Sequence, residues 1–207
     1  MSKIAVIGAG AWGTSLAIVL GRTGDHEVRL WAHEAEVRES LTVRRTNDLF
    51  FPAHKIPETV SVPLTLHEAL HGCEIVVGVM PSQHCRHTFE QMSRNLKPSM
   101  QFVSATKGLE ESSLLRMTEV ITEVVHERCG FVPRIGALSG PSFALEAARG
   151  DPTAITIASQ DKELAERVQR EFSDPRFRLY RNDDVIGVEL GGALKNVIAI
   201  AAGVCDG

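Results

Sequence analysis

A single lysine lies in the middle of an apolar, small-residue segment near the end of the chain. Residues 188–203 read VELGGALKNVIAIAAG, with Lys195 at the centre. At helical spacing four small residues share its side of the helix, namely Gly191, Gly192, Ala199 and Ala202. A small ligand could therefore come close to the ammonium group, which needs a partner if it is buried. The plainer alternative is a lysine that extends from a buried helix into solvent.

The N-terminus carries a glycine pattern that predicts a dinucleotide site. Residues 3–17 read KIAVIGAGAWGTSLA, so the G-x-G-x-x-G arrangement lies between an apolar strand and an alanine-rich helix. Gly8 permits the tight turn, Gly10 lets a pyrophosphate approach the backbone, and Gly13 lets the helix pack on the strand. Backbone N–H groups at the helix start favour phosphate. A glycine-rich turn without a ligand is the alternative.

The residues after the second predicted strand leave the choice of dinucleotide open. An acidic residue usually follows the glycines by about twenty positions and binds the ribose of NAD. Here the strand ends in Trp31, and no carboxylate stands at its end. His33, helped by Arg38, could face the 2′-phosphate of NADP, whereas Glu34 could bind a 2′-hydroxyl. Both cofactors fit the sequence, and a solvated helix start is the alternative.

Composition argues against several other classes of protein. The net charge of −4 and the lack of a basic stripe argue against a nucleic-acid partner. No apolar run approaches the roughly 18 residues of a membrane span, and the N-terminus does not resemble a signal peptide. The four cysteines lack C-x-x-C spacing and fit free thiols in a reducing cytoplasm. No metal site is expected, because no full ligand set accompanies His67, His71, His84 and His87.

Strand and helix patterns alternate along the 207 residues, which predicts an α/β fold with a Rossmann-type, doubly wound, mostly parallel sheet. The expected strands are 3–7, 27–31, 60–64, 74–79, 101–104, 135–138, 154–158 and 177–180. The expected helices follow the glycine turn and then cover 34–45, 68–70, 83–95, 112–128, 142–149, 162–172 and a long segment from about 185. Residues 47–57 are expected to be irregular. We place a dinucleotide-binding domain at 1–184 and the start of a second domain at 185–207.

Unusual segments follow three of the predicted strands. They read MPSQ at 80–83, ATKG at 105–108 and SGPSFA at 139–144. Ligands of an open α/β sheet bind outside the carboxyl ends of the strands, so these segments should share one edge with the glycine turn. Lys107 would then direct a positive charge into the cleft, and Ser142 could cap a helix. A surface loop and a simple turn are the alternatives.

Together these segments resemble the bacterial NAD(P)-dependent glycerol-3-phosphate dehydrogenases, and the resemblance covers the whole chain. It rests on GAGAWGT at 8–14, WAH at 31–33, SATKGL at 104–109, LSGPSFA at 138–144, GALKNVIA at 192–199, and on Pro52, Ile56 and Pro57. The segment at 192–199 is highly specific to this family. The resemblance implies reversible reduction of dihydroxyacetone phosphate to sn-glycerol 3-phosphate, which feeds phospholipid synthesis.

The resemblance also implies roles for individual residues. Lys195 matches the catalytic acid/base, and Lys107, Gly140 and Lys195 match substrate contacts. The positions that match cofactor contacts are Gly8, Gly10, Ala11, Trp12, Gly13, His33, Lys107, Ser142 and Ala144. Ala11 stands where the family often has serine or threonine, so only a backbone contact is expected there. His33 stands where many members have arginine, which leaves the preference between NADP and NAD open.

The chemistry of lysine agrees with these roles. An ammonium group can hydrogen-bond the oxygen that becomes negative when hydride reaches the C2 carbonyl, and can give it a proton. Lys107 would help to hold the anionic substrate. Asn196 points about 100° away from Lys195 around the helix and is assigned to structure. Glu189, nearly two turns earlier, could orient Lys195.

Family members continue into an all-helical substrate domain beyond the position that matches Gly207. The resemblance therefore implies that this chain holds only the first helix of that domain, binds the cofactor and turns over little substrate. The apolar region 197–204 would be exposed and favour self-association, and a homodimer is left open. Two alternatives remain: a dehydrogenase of the same architecture acting on a β-hydroxyacid or a sugar acid, and a module that senses NADP(H) without catalysis.

Overall fold

The computed structural model describes residues 1–207, except for the side chain of Ala53. The strands are β1 Lys3–Ile7, β2 Glu27–Trp31, β3 Thr46–Asn47, β4 Phe51–Lys55, β5 Val60–Ser61, β6 Ile75–Gly78, β7 Gln101–Ser104, β8 Arg134–Ser139, β9 Thr153–Ala158 and β10 Phe177–Asn182. The α-helices are α1 Ala11–Arg22, α2 Ala35–Val43, α3 Leu66–Leu70, α4 Ser82–Met92, α5 Met117–Cys129, α6 Ala144–Arg149, α7 Lys162–Phe172 and α8 Val185–Asp206. A 3₁₀ turn, Ser93–Asn95, follows α4.

Eight strands form one sheet in the order β10-β9-β8-β7-β6-β1-β2-β5. The described strands of this sheet pair in parallel, except that β9 runs antiparallel to β8. The predicted Rossmann-type, mostly parallel sheet is therefore confirmed. The reversal at β9 places Thr156 of β9 beside Ser139 of β8. It also directs the carboxyl ends of β9 and β10 to the opposite edge of the sheet.

Both faces of the sheet are covered by helices, because its central strands are apolar on both sides. Alternate residues of β1 show this arrangement: Ile4 and Val6 belong to one apolar cluster, and Ala5 and Ile7 to another. Residues of α1 and α7 complete the first cluster, whereas residues of α3, α4 and α5 complete the second.

Four expectations about local structure were wrong in detail. Residues 47–57 are not irregular, because β3 and β4 form an antiparallel pair there. The strand expected at 60–64 is the short β5. The helix expected from 112 begins at Met117, since Glu110 N–H donates to Leu115 O in the preceding loop. The helix expected from 142 begins at Ala144.

The centre of the sheet contains a change in strand order that positions the site. β1 lies between β6 and β2. The chain therefore first adds β2 and β5 on one side of β1 and later adds β6 to β10 on the other side. Ligands of such sheets bind outside the carboxyl ends of the strands at this switch point. The segments that follow β1, β6, β7 and β8 all leave the sheet at this edge.

Helix α8 is largely exposed and apolar. Its exposed apolar residues are Ile186, Leu194, Val197, Ile198, Ile200 and Val204. An 18-residue window of α8 has a mean hydropathy of 1.6, so the helix could cross a membrane by length and composition alone. This corrects the expectation that no such run exists. It is weak support for a membrane span, because helices that pack against protein pass the same test.

Candidate functional site

The glycine turn after β1 has the geometry of a phosphate-binding turn. Gly8 adopts φ +112°, its N–H donates to Trp31 O at 3.0 Å, and a Cβ there would collide with the carbonyl of Val79. Helix α1 follows with Gly10 at its N-cap and no acidic residue in its first turn. The first N–H groups of a helix lack intrahelical acceptors, so they are available to an anion.

A buried asparagine that the sequence reasoning missed supports this turn. Asn47 of β3 is fully buried, and its Nδ2 donates to Ala9 O at 2.6 Å and to Thr14 Oγ1 at 2.9 Å. Its Oδ1 accepts from the N–H of Phe50 at 3.0 Å. The hairpin of β3 and β4 thereby holds the loop between β1 and α1. Because the segment was expected to be irregular, nothing in the sequence pointed Asn47 towards the glycines.

A cleft of about 300 Å³ lies beside the turn. Its walls come from the segments that follow β1, β6, β7 and β8, with Gly10, Ala11, Trp12, Gly13, Val79, Met80, Pro81, Ala105, Thr106, Lys107, Ser142 and Ala144 lining it. Two polar atoms of this wall, Trp12 Nε1 and Ser142 Oγ, are buried without a hydrogen-bond partner among the described residues. Such atoms are expected where a polar ligand binds.

Ser142 does not cap helix α6, contrary to expectation. Phe143 occupies the N-cap of α6 and makes no side-chain cap. The carbonyl of Ala144 instead accepts from Ser15 Oγ of α1 at 2.8 Å. This bond fixes the start of α6 against α1, and it leaves Ser142 facing the cleft.

His33 lies at the margin of the site. It is exposed, follows β2, and its ring contacts Trp31 edge-on with centroids 6.1 Å apart. Arg38 Nη1 donates to the carbonyls of Ala32 at 2.7 Å and His33 at 2.6 Å, so Arg38 fixes the backbone of this loop. Glu34 is exposed at the N-cap of α2. His33 and Glu34 are outside the residues that line the 300 Å³ cleft.

Two lysines meet next to this cleft. Lys107 Nζ donates to Gly140 O at 3.3 Å, and Lys195 Nζ lies 5.8 Å from the ring centroid of Phe143. Burial, and to a lesser extent the nearby positive charge of Lys195, together lower the pKa of Lys107 to about 8. Two cations that repel each other at the edge of a cleft are stabilised by an anion between them.

A second cleft of about 310 Å³ contains Lys195. Its lining residues are Ser139, Gly140, Pro141, Thr156, Gly187, Val188, Gly191, Gly192 and Lys195. Gly191 and Gly192 thus share the lysine face of α8 as expected, whereas Ala199 and Ala202 lie exposed beyond it. The close approach of α8 depends on Gly192, where a Cβ would lie 2.5 Å from Ser139 Oγ and 3.8 Å from Lys107 Cγ.

Lys107 connects the two clefts. Its side chain lines the cleft of the glycine turn, and its ammonium group contacts Gly140, which lines the cleft of Lys195. The structure therefore brings Gly10, Trp12, Ser142 and the two lysines to one edge of the sheet. This arrangement can bind a dinucleotide phosphate and, next to it, a small anion whose oxygen atoms face lysine N–H donors.

The described hydrogen bonds of Glu189 go to α5 and not to Lys195. Its carboxylate is buried and accepts from Arg116 Nη1 at 2.8 Å, from Thr118 N at 2.9 Å and from Thr118 Oγ1 at 2.6 Å. These bonds connect α8 to the start of α5, which the sequence did not indicate.

Comparison with known families agrees with this site. The family model for the N-terminus of NAD-dependent glycerol-3-phosphate dehydrogenase matches residues 3–165. The chain belongs to the NAD-dependent glycerol-3-phosphate dehydrogenase family. The model for the C-terminus of the same family matches residues 184–207, where α8 lies. The resemblance that the sequence motifs indicated is confirmed.

Relatives of this family cover the whole chain. A protein of Koribacter versatilis named glycerol-3-phosphate dehydrogenase [NAD(P)+] is 67% identical over 100% of this chain and 61% of its own length. A protein of Acidobacterium capsulatum with the same name is 49% identical over 100% of this chain and 62% of its own. The chain thus spans less than two thirds of the length of these relatives.

Solved structures agree on the fold. The crystal structure of a glycerol-3-phosphate dehydrogenase from Coxiella burnetii matches 99% of this chain and 61% of its own, with a TM-score of 0.88 and 36% identity. A UDP-glucose dehydrogenase from Pyrobaculum islandicum matches with a TM-score of 0.70 but only 17% identity. That second likeness shows the shared architecture alone, so the sugar-acid alternative has no support beyond the fold.

Proposed function

We propose that the chain is the cofactor-binding part of a dehydrogenase that interconverts dihydroxyacetone phosphate and sn-glycerol 3-phosphate with NADP or NAD. The observation that carries this proposal is the position of Lys107, which lines the cleft of the glycine turn and contacts Gly140 beside Lys195. The names of the relatives, which include glycerol-3-phosphate and NAD(P)+, support the same substrate and cofactors.

The residues at the glycine turn fit a dinucleotide. The start of α1 offers backbone N–H groups to a pyrophosphate, and the unpartnered Trp12 Nε1 and Ser142 Oγ offer further hydrogen bonds. Gly13 and Ala144 line this cleft, Gly8 permits the turn beside it, and we expect Ala11 to contribute only its backbone. A bound reduced nicotinamide supplies the hydride for reduction of the ketone. His33 would favour the 2′-phosphate of NADP, whereas Glu34 would favour the ribose hydroxyl of NAD.

The two lysines supply the charge that the substrate requires. Dihydroxyacetone phosphate is an anion with a ketone, and reduction places further negative charge on the ketone oxygen. Lys195 donates a hydrogen bond and then a proton to that oxygen, and Lys195 thereby acts as a general acid. Lys107, with Gly140, holds the substrate and stabilises the developing charge. In the reverse direction Lys195 accepts the proton from the hydroxyl of sn-glycerol 3-phosphate.

The domain division follows from the same proposal. We assign residues 1–184 to the cofactor domain and 185–207 to the first helix of a helical substrate domain, consistent with the family models that match 3–165 and 184–207.

The reaction product is a phosphorylated glycerol, which fits a supply of glycerophospholipid precursors in the cytoplasm. The structure describes Cys73, Cys85, Cys129 and Cys205 as free thiols, which is compatible with that compartment.

The test compares this chain with a chimera in which the C-terminal segment of the Koribacter versatilis relative follows Gly207. Oxidation of NADPH and NADH is measured with dihydroxyacetone phosphate and with small β-keto acids. We expect turnover of dihydroxyacetone phosphate by the chimera and little turnover by the chain alone. Replacement of Lys195 by alanine in the chimera should lower kcat by about 10²–10⁴ while cofactor affinity stays unchanged.

Binding of the cofactor is measured separately by the fluorescence of Trp12, with Trp31→Phe removing the other tryptophan. Quenching of Trp12 by NADPH or NADH in the Trp31→Phe protein, with weaker or no quenching of Trp31 in the Trp12→Phe protein, supports the cofactor site. A chimera that binds the cofactor but never reduces the ketone would favour the sensor alternative. Turnover that survives Lys195→Ala would contradict the assigned role of the lysine.

A further inference from the structure

Helix α8 carries Lys195 but has little anchorage in the protein. Among the described residues of its 22 positions, Glu189 is the one that is buried. The start of α8 is separated from α5 by a groove of about 800 Å³, whose walls include Thr122 and His126 on one side and Val185 and Ile186 on the other. Burial of apolar side chains therefore does little to fix this helix.

Glu189 bridges from α8 to the start of α5 with three hydrogen bonds. Its Oε2 accepts from Arg116 Nη1 at 2.8 Å and from Thr118 Oγ1 at 2.6 Å, and its Oε1 accepts from Thr118 N at 2.9 Å. Charge-assisted bonds of this kind are stronger than neutral ones. The buried carboxylate is compensated only while α8 stays against α5.

Arg116 is itself held in place for this contact. Its Nη2 donates to Glu119 Oε1 at 2.6 Å, and its backbone N–H donates to Glu119 Oε2 at 3.0 Å. Glu119 therefore orients the guanidinium, and its described hydrogen bonds go to Arg116 rather than to α8. Glu189 and Glu119 share one arginine, but only Glu189 connects the two helices.

The helix transmits this restraint from Glu189 to Lys195. Six residues correspond to a rise of about 9 Å and a rotation of about 240°, so the two side chains point to different sides of α8. Glu189 draws one side of the helix towards α5, and Lys195 faces the cleft on another side. Between them, Gly192 packs against Ser139, which allows the helix to lie this close to β8.

We propose that Glu189 is a positioning residue that fixes the orientation of α8 and thereby holds Lys195 beside Lys107. The importance of this role for catalysis rests on the proposed function. The placement of the two lysines, however, can be measured without turnover. Loss of the Glu189 contacts should let α8 move away from the sheet while the fold of residues 3–182 and the glycine turn remain intact.

The pKa of Lys107 provides the readout, measured by NMR titration of ¹³C-labelled lysine side chains and assigned with Lys107→Arg. In Glu189→Ala we expect the pKa of Lys107 to rise from about 8 towards its ordinary value, because Lys195 and the covering helix move away. Simple removal of a negative charge would instead lower the pKa of a lysine. The direction of the shift therefore separates displacement of the helix from a direct electrostatic effect.

Amide hydrogen exchange gives the second readout. In Glu189→Ala the amides of α8 should exchange at least about tenfold faster, while those of β1 and α1 should not change. Glu189→Gln, which keeps the acceptor for Thr118 N but loses the charge pair with Arg116, should show a smaller effect of the same sign. Glu119→Gln is the comparison variant. Because Glu119 acts on this contact only through Arg116, its effects on the pKa of Lys107 and on exchange in α8 should be clearly smaller than those of Glu189→Ala.

Thr118→Val provides an independent test if Glu189→Ala fails to fold, since it removes the hydroxyl that donates to Glu189 and accepts from Arg116 and keeps the backbone N–H that donates to Glu189. It should raise the pKa of Lys107 by less than Glu189→Ala. An unchanged Lys107 pKa and unchanged α8 exchange in a folded Glu189 variant would overturn the proposal, as would equal effects in Glu119→Gln. Failure of the proposed function would give a different result. The chimera would not reduce the ketone, while the Lys107 pKa and the α8 exchange rates would still change as expected in the Glu189 variants.

Discussion

The glycine turn and helix α8 line two neighbouring clefts that Lys107 connects, but the two elements are held in opposite ways. The turn is surrounded by buried apolar strands and is supported by the buried side chain of Asn47. Helix α8 exposes most of its apolar residues, and its buried contact is the carboxylate of Glu189. The cofactor side of the site is thus rigid by packing, whereas the lysine side depends on a few polar contacts.

The largest effect is expected from a methyl group in the turn. Gly8→Ala should lower the free energy of unfolding by about 1–3 kcal/mol from backbone strain alone, with a further loss from the collision with Val79. The measurement is denaturant unfolding followed by cofactor titration of the folded protein.

Gly10→Ala is the control, because a Cβ there meets nothing within 4 Å and the backbone lies in an ordinary region. It should change stability by less than about 0.5 kcal/mol. If the proposed function holds, its methyl group should crowd a phosphate bound at the start of α1 and weaken cofactor binding. Equal stability of the two variants would contradict this account of the turn.

Asn47→Ala should also destabilise the turn. Loss of its side chain leaves the carbonyl of Ala9 and the hydroxyl of Thr14 without this donor, at a cost of about 1–3 kcal/mol. Asp48→Asn, which alters an exposed ion pair with Arg44 and the side-chain contacts of Asp48 with Thr46 and Ser40, should stay within about 0.5 kcal/mol. Thermal unfolding of both variants checks the contrast, and matching losses would show that Asn47 does not support the turn.

The lysine side of the cleft should respond to pH. Because the folded pKa of Lys107 is about 8, its charge is lost as the pH rises through that value, and affinity for dihydroxyacetone phosphate should fall by up to about tenfold. The unfolded chain retains the proton up to the ordinary pKa of 10.5, so the contribution of this group to stability rises with pH between about 8 and 10.5.

Isothermal titration at several pH values measures this affinity. Lys107→Arg keeps its charge across the range and should flatten the pH dependence. A pH dependence that is the same with arginine would assign the effect to another group.

The smallest effect on the folded state is expected on the exposed face of α8. Val197 and Ile200 are 63% and 69% exposed, and such apolar surface favours self-association of this chain. Val197→Gln with Ile200→Gln should reduce association in sedimentation experiments while leaving cofactor affinity unchanged. If the chain is monomeric before substitution, this surface does not mediate association.

The sequence predicted the sheet and the glycine turn well, because both depend on local patterns. Apolar runs and the spacing of Gly8, Gly10 and Gly13 report directly on strands and on a turn. The segments at 80–83, 105–108 and 139–144 could be placed at one edge because carboxyl ends of parallel strands share it.

Contacts between distant parts of the chain could not be predicted in this way. Asn47 lies 38 residues from Ala9, and Glu189 lies 73 residues from Arg116. Neither partner has a local signature, so the hairpin around Asn47 was taken as irregular and Glu189 was considered only for Lys195. The antiparallel β9 was missed for the same reason, since periodicity does not report strand direction.

The most direct test that Lys107 and Lys195 belong to one site is NMR of ¹³C-labelled lysine side chains during stepwise addition of ligands. Addition of NADPH should shift the signal of Lys107, and subsequent addition of dihydroxyacetone phosphate should shift both Lys107 and Lys195 and raise the pKa of Lys107. A Lys195 signal that does not respond to the substrate, while Lys107 responds to the cofactor, would show that the two lysines do not belong to one site.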